Sequence, residues 1–199
     1  MIRKAAHARM QRSASSAHFG RRLLAPGVVL AALLAPEPPS VATETPADVA
    51  LAVDVMIPMR DGARLAADVY RPARDGVPIE GRFPALLMRT PYNKEVRAAP
   101  FARYFASRGY VVVVQDVRGR YRSQGRWRPL SDDGRDGYDT TQWIGQQSWS
   151  DGGIGTVGTS YEGGTQHALA IAAAPFVKAM IPLFSMSDEW RSEIGRAHV

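Results

Sequence analysis

Residues 154–164 read Ile-Gly-Thr-Val-Gly-Thr-Ser-Tyr-Glu-Gly-Gly, and no other stretch of the chain restricts its fold so tightly. A short β-branched run, which favours extended backbone, ends at Gly158. Ser160 follows two residues later, Gly163 and Gly164 come just after it, and an apolar pattern with helical spacing begins at Thr165. The order is strand, tight turn, helix, with a hydroxyl at the turn.

That layout is a nucleophile elbow. A serine hydroxyl becomes a useful nucleophile when a sharp turn lifts it clear of the backbone and a base can reach it. The following helix directs free N–H groups and the positive end of its dipole toward the serine, which favours an anionic tetrahedral intermediate. The backbone N–H of Tyr161 is the expected first oxyanion donor. The usual form of the motif has glycine two residues after the serine, where this chain has Glu162, so the string here is Gly-x-Ser-x-x-Gly. A glycine-rich turn alone can produce such a string; the flanking strand and helix favour the elbow.

Charge is unevenly distributed. Of the 25 Lys/Arg and 19 Asp/Glu, residues 1–42 hold six and one, a net +5, which leaves 19 and 18, a net +1, for the rest. The basic character therefore belongs to the leader, and no basic patch with interleaved aromatics argues for nucleic acid. Arg118 to Arg128 is locally arginine-rich, but Asp132, Asp133 and Asp136 follow, and a solvated loop is the expected reading. The leader has six basic residues before Leu23, an apolar run to Ala35, and Ser40-Val41-Ala42 as a cleavage site. This is the form of a secretory signal peptide. It predicts export to the periplasm or beyond, with no stable membrane anchor after cleavage; Arg21-Arg22 allows a twin-arginine route, and Met10 is an alternative start. Residues 43–48 form a spacer. With no cysteine, neither disulfides nor thiolate metal sites are available, and no His pair stands at ligand spacing, so neither metal nor cofactor is expected.

The body alternates. Runs at 50–57 and 64–70 flank Arg60-Asp61-Gly62 and predict a β-hairpin. Residues 83–88 predict a buried strand, 110–114, 154–157 and 178–183 predict further strands, and 101–108, 136–146 and 165–174 predict helices, with Tyr138 and Trp143 on the buried face of the second. The expected fold class is α/β: a mostly parallel sheet with helices on both faces and an N-terminal antiparallel hairpin. The elbow falls at the carboxyl end of a central strand, where such sheets bind ligands.

Several further blocks agree in order and spacing: Pro91-Tyr92-Asn93-Lys94, then Gln115-Asp116-Val117-Arg118-Gly119 with Ser123-x-Gly125, then Trp149-x-Asp151-Gly152-x-Ile154-Gly155, then the elbow. From about Val53 to Trp190 the chain resembles the CocE/NonD-type α/β-hydrolases, which include esterases, acylases and X-Pro dipeptidyl-peptidases. The family's Ser-Tyr-x-Gly form accounts for Glu162. The resemblance implies Ser160 as nucleophile, the Tyr161 backbone N–H as one oxyanion donor and the Tyr92 hydroxyl as the second.

A base and its carboxylate partner are not evident. His7 and His18 lie in the leader, His167 is about 10 Å along the helix axis from Ser160, and His198 falls in the terminal residues 194–199. Codons for those six residues can spell a common adapter read-through, so they are read as a sequencing artefact, and 49–193 as the N-terminal part of the catalytic domain. Acid and base are then expected outside this chain, as in folds of this kind where acid and histidine follow the serine, and the fragment alone is expected to be inactive. Asp188 is better read as a helix N-cap, and Asp116 and Asp151 as turn and strand-end hydrogen-bonding residues.

The expected activity is that of an exported serine hydrolase acting on a small ester or amide or a short peptide through an acyl-serine intermediate. An X-Pro dipeptidyl-peptidase is the alternative within the class, and a hydrolase-like binding protein without a base is the alternative outside it.

Overall fold

The computed structural model describes residues 48–185. The expected leader, most of the spacer, Asp188, His198 and the suspected artefact lie outside the described residues.

Among the described residues one mixed sheet runs, across its width, β1 (Asp48–Pro58), β2 (Arg64–Arg74), β5 (Val111–Asp116), β4 (Phe83–Thr90), β6 (Ser150–Thr159) and β7 (Val177–Leu183), and the two-residue β3 (Val77–Pro78) pairs with β2. Strands β1 and β2 form the predicted antiparallel hairpin. β2 also pairs antiparallel with β5. From there the sheet is parallel: β5 with β4, β4 with β6, and β6 with β7.

The pattern of the residues explains the order. β5 is Val-Val-Val-Val-Gln-Asp and is buried at every position, as befits a strand covered on both faces. β1, at the edge, is mostly exposed or half-buried. Its pairing slips between Ala52 and Val55, and Asp54 at the slip has φ 51°. Such a bulge bends an edge strand.

Side-chain alternation sorts the core to two faces. On one, Ile57, Leu65, Val69, Leu87, Val111, Val113 and Ile154 pack with Ile144 and Trp149. On the other, Tyr70, Met88, Val112 and Val114 pack with Ala98, Ala102 and Ala106. The second face is covered by α2 (Ala99–Ala106), whose small residues let it lie close to the sheet. The first is covered by α3 (Asp133–Gly145). The connection after β4 holds one further short turn of helix, α1 (Lys94–Arg97). The helix after β6, α4 (Tyr161–Ile171), lies against α3 closely enough that a Cβ on Gly134 would meet the Ala168 carbonyl at 2.8 Å.

Several expectations need correction in detail; α2, for one, runs Ala99–Ala106 and not 101–108. β4 continues past residue 88 to include buried Arg89 and Thr90. α3 begins at Asp133, not 136, and its buried face is Asp133, Asp136, Gly137, Thr140, Thr141 and Ile144. Tyr138 and Trp143 are only half-buried: Trp143 packs against the edge of the core with its ring 6.2 Å from that of Trp149, and the Arg60 guanidinium lies 5.2 Å from the Tyr138 ring. α4 begins at Tyr161, four residues before its apolar pattern, and ends at Ile171, short of residue 174. Its first turn contains two glycines with poor helix propensity, held helical by close packing against the sheet.

Candidate active site

Ser160 stands between the end of β6 and the start of α4 with φ 61° and ψ −121°. A non-glycine residue persists in such a conformation only where its surroundings over-determine it. Here its N–H donates to the Leu183 carbonyl (2.9 Å), and its own carbonyl accepts from the N–H groups of Gly163 (2.9 Å) and Gly164 (3.1 Å). The side chain makes no capping hydrogen bond and Ser160 is exposed. The backbone is clamped on both sides while the hydroxyl remains presented.

Two glycines make the turn possible by close approach. A Cβ on Gly158 would collide with the Glu162 side-chain stem and lie 2.9 Å from its carbonyl oxygen. A Cβ on Gly163 would collide with Ser185, whose Oγ would be 2.8 Å away. This explains Glu162 in place of the usual glycine: its stem covers Gly158, its carboxylate accepts from the Thr159 N–H at 3.3 Å, and the close approach to the segment just after β7 falls to Gly163.

As the first residue of α4, Tyr161 has a backbone N–H without an acceptor inside the helix. Its side chain is fully engaged: the hydroxyl donates to Asp133 Oδ2 (3.0 Å) and accepts from the N–H of Leu130 (2.9 Å) and from Trp127 Nε1 (3.4 Å). Burial and the neighbouring Asp133 raise its pKa, so the phenol stays neutral.

Tyr92 follows β4, which pairs parallel with β6. Continuing the register Leu87↔Thr156 past the paired rungs sets Pro91 level with Ser160, so Tyr92 and Ser160 emerge from the same edge of the sheet on adjacent strands. Tyr92 is 44% exposed and its N–H donates to Thr90 Oγ1 at 3.1 Å. The segment is anchored by Lys94, whose N–H donates to Asp116 Oδ1 (2.9 Å) and whose Nζ lies 2.9 Å from both Asp54 and Asp68. Burial works to lower the Lys94 pKa, but the two carboxylates outweigh it and the net shift is upward. Asp116 is raised, chiefly by burial, with Lys94 opposing.

Arg89, Lys94, Asp68 and Asp133 received no site role from the sequence. The available signal was a charge at the end of an otherwise apolar buried run, Leu86-Leu87-Met88-Arg89. The acidic cluster after Arg128 is not solvated as expected: Asp132, Asp133 and Asp136 are all buried. Arg118 pairs with Asp136 (2.6 Å) and Asp61 (2.9 Å), Arg128 with Asp132 (2.8 Å), and Arg60 with Asp139 (2.7 Å). These pairs border an open cleft of about 250 Å³ whose guanidinium groups all face a carboxylate partner.

Asp116 and Asp151 play the expected structural parts; Asp151 Oδ1 accepts from the Gly153 N–H at 2.7 Å. His167 lies on α4 two turns beyond Ser160, out of hydrogen-bond reach by helix geometry.

A mixed sheet carrying a serine at positive φ between a central parallel strand and its helix defines an α/β-hydrolase. Residues 61–198 match the X-Pro dipeptidyl-peptidase (S15) family, and the chain belongs to it. It is 41% identical over 148 residues to the cocaine esterase of Rhodococcus sp. (strain MB1 Bresler), a match covering 71% of this chain and 25% of that protein. Among solved structures it is similar to a CocE/NonD family hydrolase from Staphylococcus aureus (TM-score 0.63, 31% identity, 71% of this chain and 28% of that one). It is also similar to an α-amino-acid ester hydrolase (TM-score 0.62, 30% identity, 80% and 30%). The chain thus spans about a quarter of the length of the curated relatives it matches.

Proposed function

We propose that the protein is a serine hydrolase that cleaves a small ester or amide through an acyl-Ser160 intermediate. The observation that carries this reading is the exposed Ser160 hydroxyl at φ 61°, uncommitted to capping, at the N-terminus of α4. In the reaction Ser160 Oγ bonds to the substrate carbonyl carbon and its proton passes to a base. The oxyanion is held by the Tyr161 N–H and the Tyr92 hydroxyl. Collapse breaks the bond to the alcohol or amine, which leaves with the proton, and water repeats the sequence on the acyl-enzyme. His167 is too far along α4 to serve as base, so we place that group outside the described residues.

Esterase or acylase activity is the first reading, supported by the identity to the cocaine esterase. X-Pro dipeptidyl-peptidase activity is the second, supported by the family match. The decisive assay offers the complete gene product p-nitrophenyl acyl esters and X-Pro p-nitroanilides. Turnover of either, abolished in Ser160→Ala, establishes the mechanism and the preference; full activity in Ser160→Ala would refute it. The basic and apolar composition of residues 1–42 supports export, which is tested by fractionating cells and determining whether the mature N-terminus is Thr43.

A further inference from the structure

We infer that Arg89 and Asp133 are positioning residues which, through the Tyr161 hydroxyl, fix the first turn of α4 and so aim the Tyr161 backbone N–H at the oxyanion. The inference rests on the reading of Ser160 as nucleophile. Its basis is an uninterrupted polar chain running from the centre of the sheet to the residue after Ser160. Arg89, at the end of β4, donates from Nε to Gln115 Oε1 (2.9 Å) and from one terminal nitrogen to the Asp133 carbonyl (2.6 Å). Its other terminal nitrogen lies 3.0 Å from Asp133 Oδ1, with the two side chains 2% and 6% exposed. The second carboxylate oxygen of Asp133 accepts a hydrogen bond from the Tyr161 hydroxyl at 3.0 Å. Gln115 Oε1 also accepts from Thr140 of α3 at 3.0 Å. β4, β5, α3 and the start of α4 are therefore joined by one set of hydrogen bonds.

Energetics point to positioning. Burying an ion pair removes two charges from water, and a well-packed apolar replacement is often at least as stable. Here the pair sits where geometry matters more than stability. Ser160 holds a φ that must be imposed from outside, and an oxyanion donor is effective only within a few tenths of an ångström of its aim. The Tyr161 hydroxyl has one proton and two acceptor directions, and all three are taken by Asp133, Leu130 and Trp127. It has no capacity left to act on a substrate, so its contribution passes through its own backbone. The same hydroxyl ties down the 127–130 segment, which folds over the beginning of α4.

The test uses the complete gene product with Tyr161→Phe, Asp133→Asn, the double variant and Ser160→Ala, all assayed on one p-nitrophenyl ester. Tyr161→Phe keeps the ring and the backbone N–H and removes only the anchor. The expected result is a fall in kcat of about tenfold with KM within about twofold, within the range for a partly misaimed donor. A boronic acid that mimics the tetrahedral intermediate should lose affinity by a similar factor. Asp133→Asn should behave likewise, and the double variant should lose little more than either single one. An unchanged kcat in Tyr161→Phe, a change confined to KM, or fully additive losses in the double variant would each overturn the inference. If Asp133→Asn does not fold, Tyr161→Phe with the boronic acid decides alone. Activity surviving in Ser160→Ala would instead remove the underlying reading, a result distinct from a normal kcat in Tyr161→Phe.

Discussion

Lys94 Nζ lies 2.9 Å from Asp68 Oδ1, and the two side chains are 1% and 3% exposed. With Asp54 at the same distance, the pair ties the segment that carries Tyr92 to the bulge of β1 and the body of β2. Removing one partner of a buried pair strands the other charge, at a cost of about 3–5 kcal/mol. Lys94→Met should lower the urea midpoint accordingly. The pKa of Lys94 is raised above 10.5 by these carboxylates. Its contribution is therefore present in full below that value and is lost as pH rises through the folded pKa. The wild type should lose stability in strongly alkaline solution, and Lys94→Met should lack that component; parallel midpoints for the two proteins in alkali would contradict the assignment.

The elbow should tolerate no side chain at Gly158 or Gly163. Each added methyl group meets a neighbouring element at less than 3 Å, and overpacking of this kind costs about 1–3 kcal/mol. Gly158→Ala and Gly163→Ala should lower stability by that amount and lose hydrolytic activity with it. Wild-type kcat and urea midpoint in either variant would show that the close approach is not required.

Asp116→Asn offers a pH test. Burial raises the Asp116 pKa above 3.8, so the folded state carries a penalty for ionising it. That penalty is absent below 3.8, grows as pH rises through the folded pKa, and is constant above it. Asparagine can still accept the Lys94 backbone N–H. The stability of Asp116→Asn relative to wild type should therefore increase from about pH 3 to neutrality, read from urea midpoints across that range. A difference that falls over the same interval would mean that Asp116 is held ionised by its surroundings.

Tyr92→Phe should reduce kcat by about 10²–10³, the usual effect of losing one oxyanion donor, with a smaller effect on KM. Steady-state kinetics on an activated ester distinguishes this from a binding role, in which KM alone would rise.

The element order, the hairpin, the parallel sheet and the elbow were legible because each rests on local pattern: β-branched runs, period-two alternation, and glycines flanking a serine. Helix boundaries were less so. α4 starts at Tyr161 because Gly163 must reach Ser185, a contact between segments more than twenty residues apart. α3 turns carboxylates inward because Arg89 and Arg118 come to meet them from other elements. Asp132, Asp133 and Asp136 look solvated in sequence, since a carboxylate is ordinarily exposed unless paired and its partner is not adjacent in the chain.

By itself, then, the sequence determined that Ser160 would stand at a turn between strand and helix, because the β-branched run and the glycines that permit that turn lie within six positions of it. Its resemblance to a hydrolase family singled out Tyr92 as well. What only the tertiary structure decided is how those groups are held. The parallel pairing of β4 with β6 brings Tyr92 and Ser160 to one edge. The ion pairs of Lys94 and Arg89 with partners on distant elements fix the segments that carry them. Burial of charge depends on what is packed around it, and that is a property of the folded chain, not of any stretch of sequence.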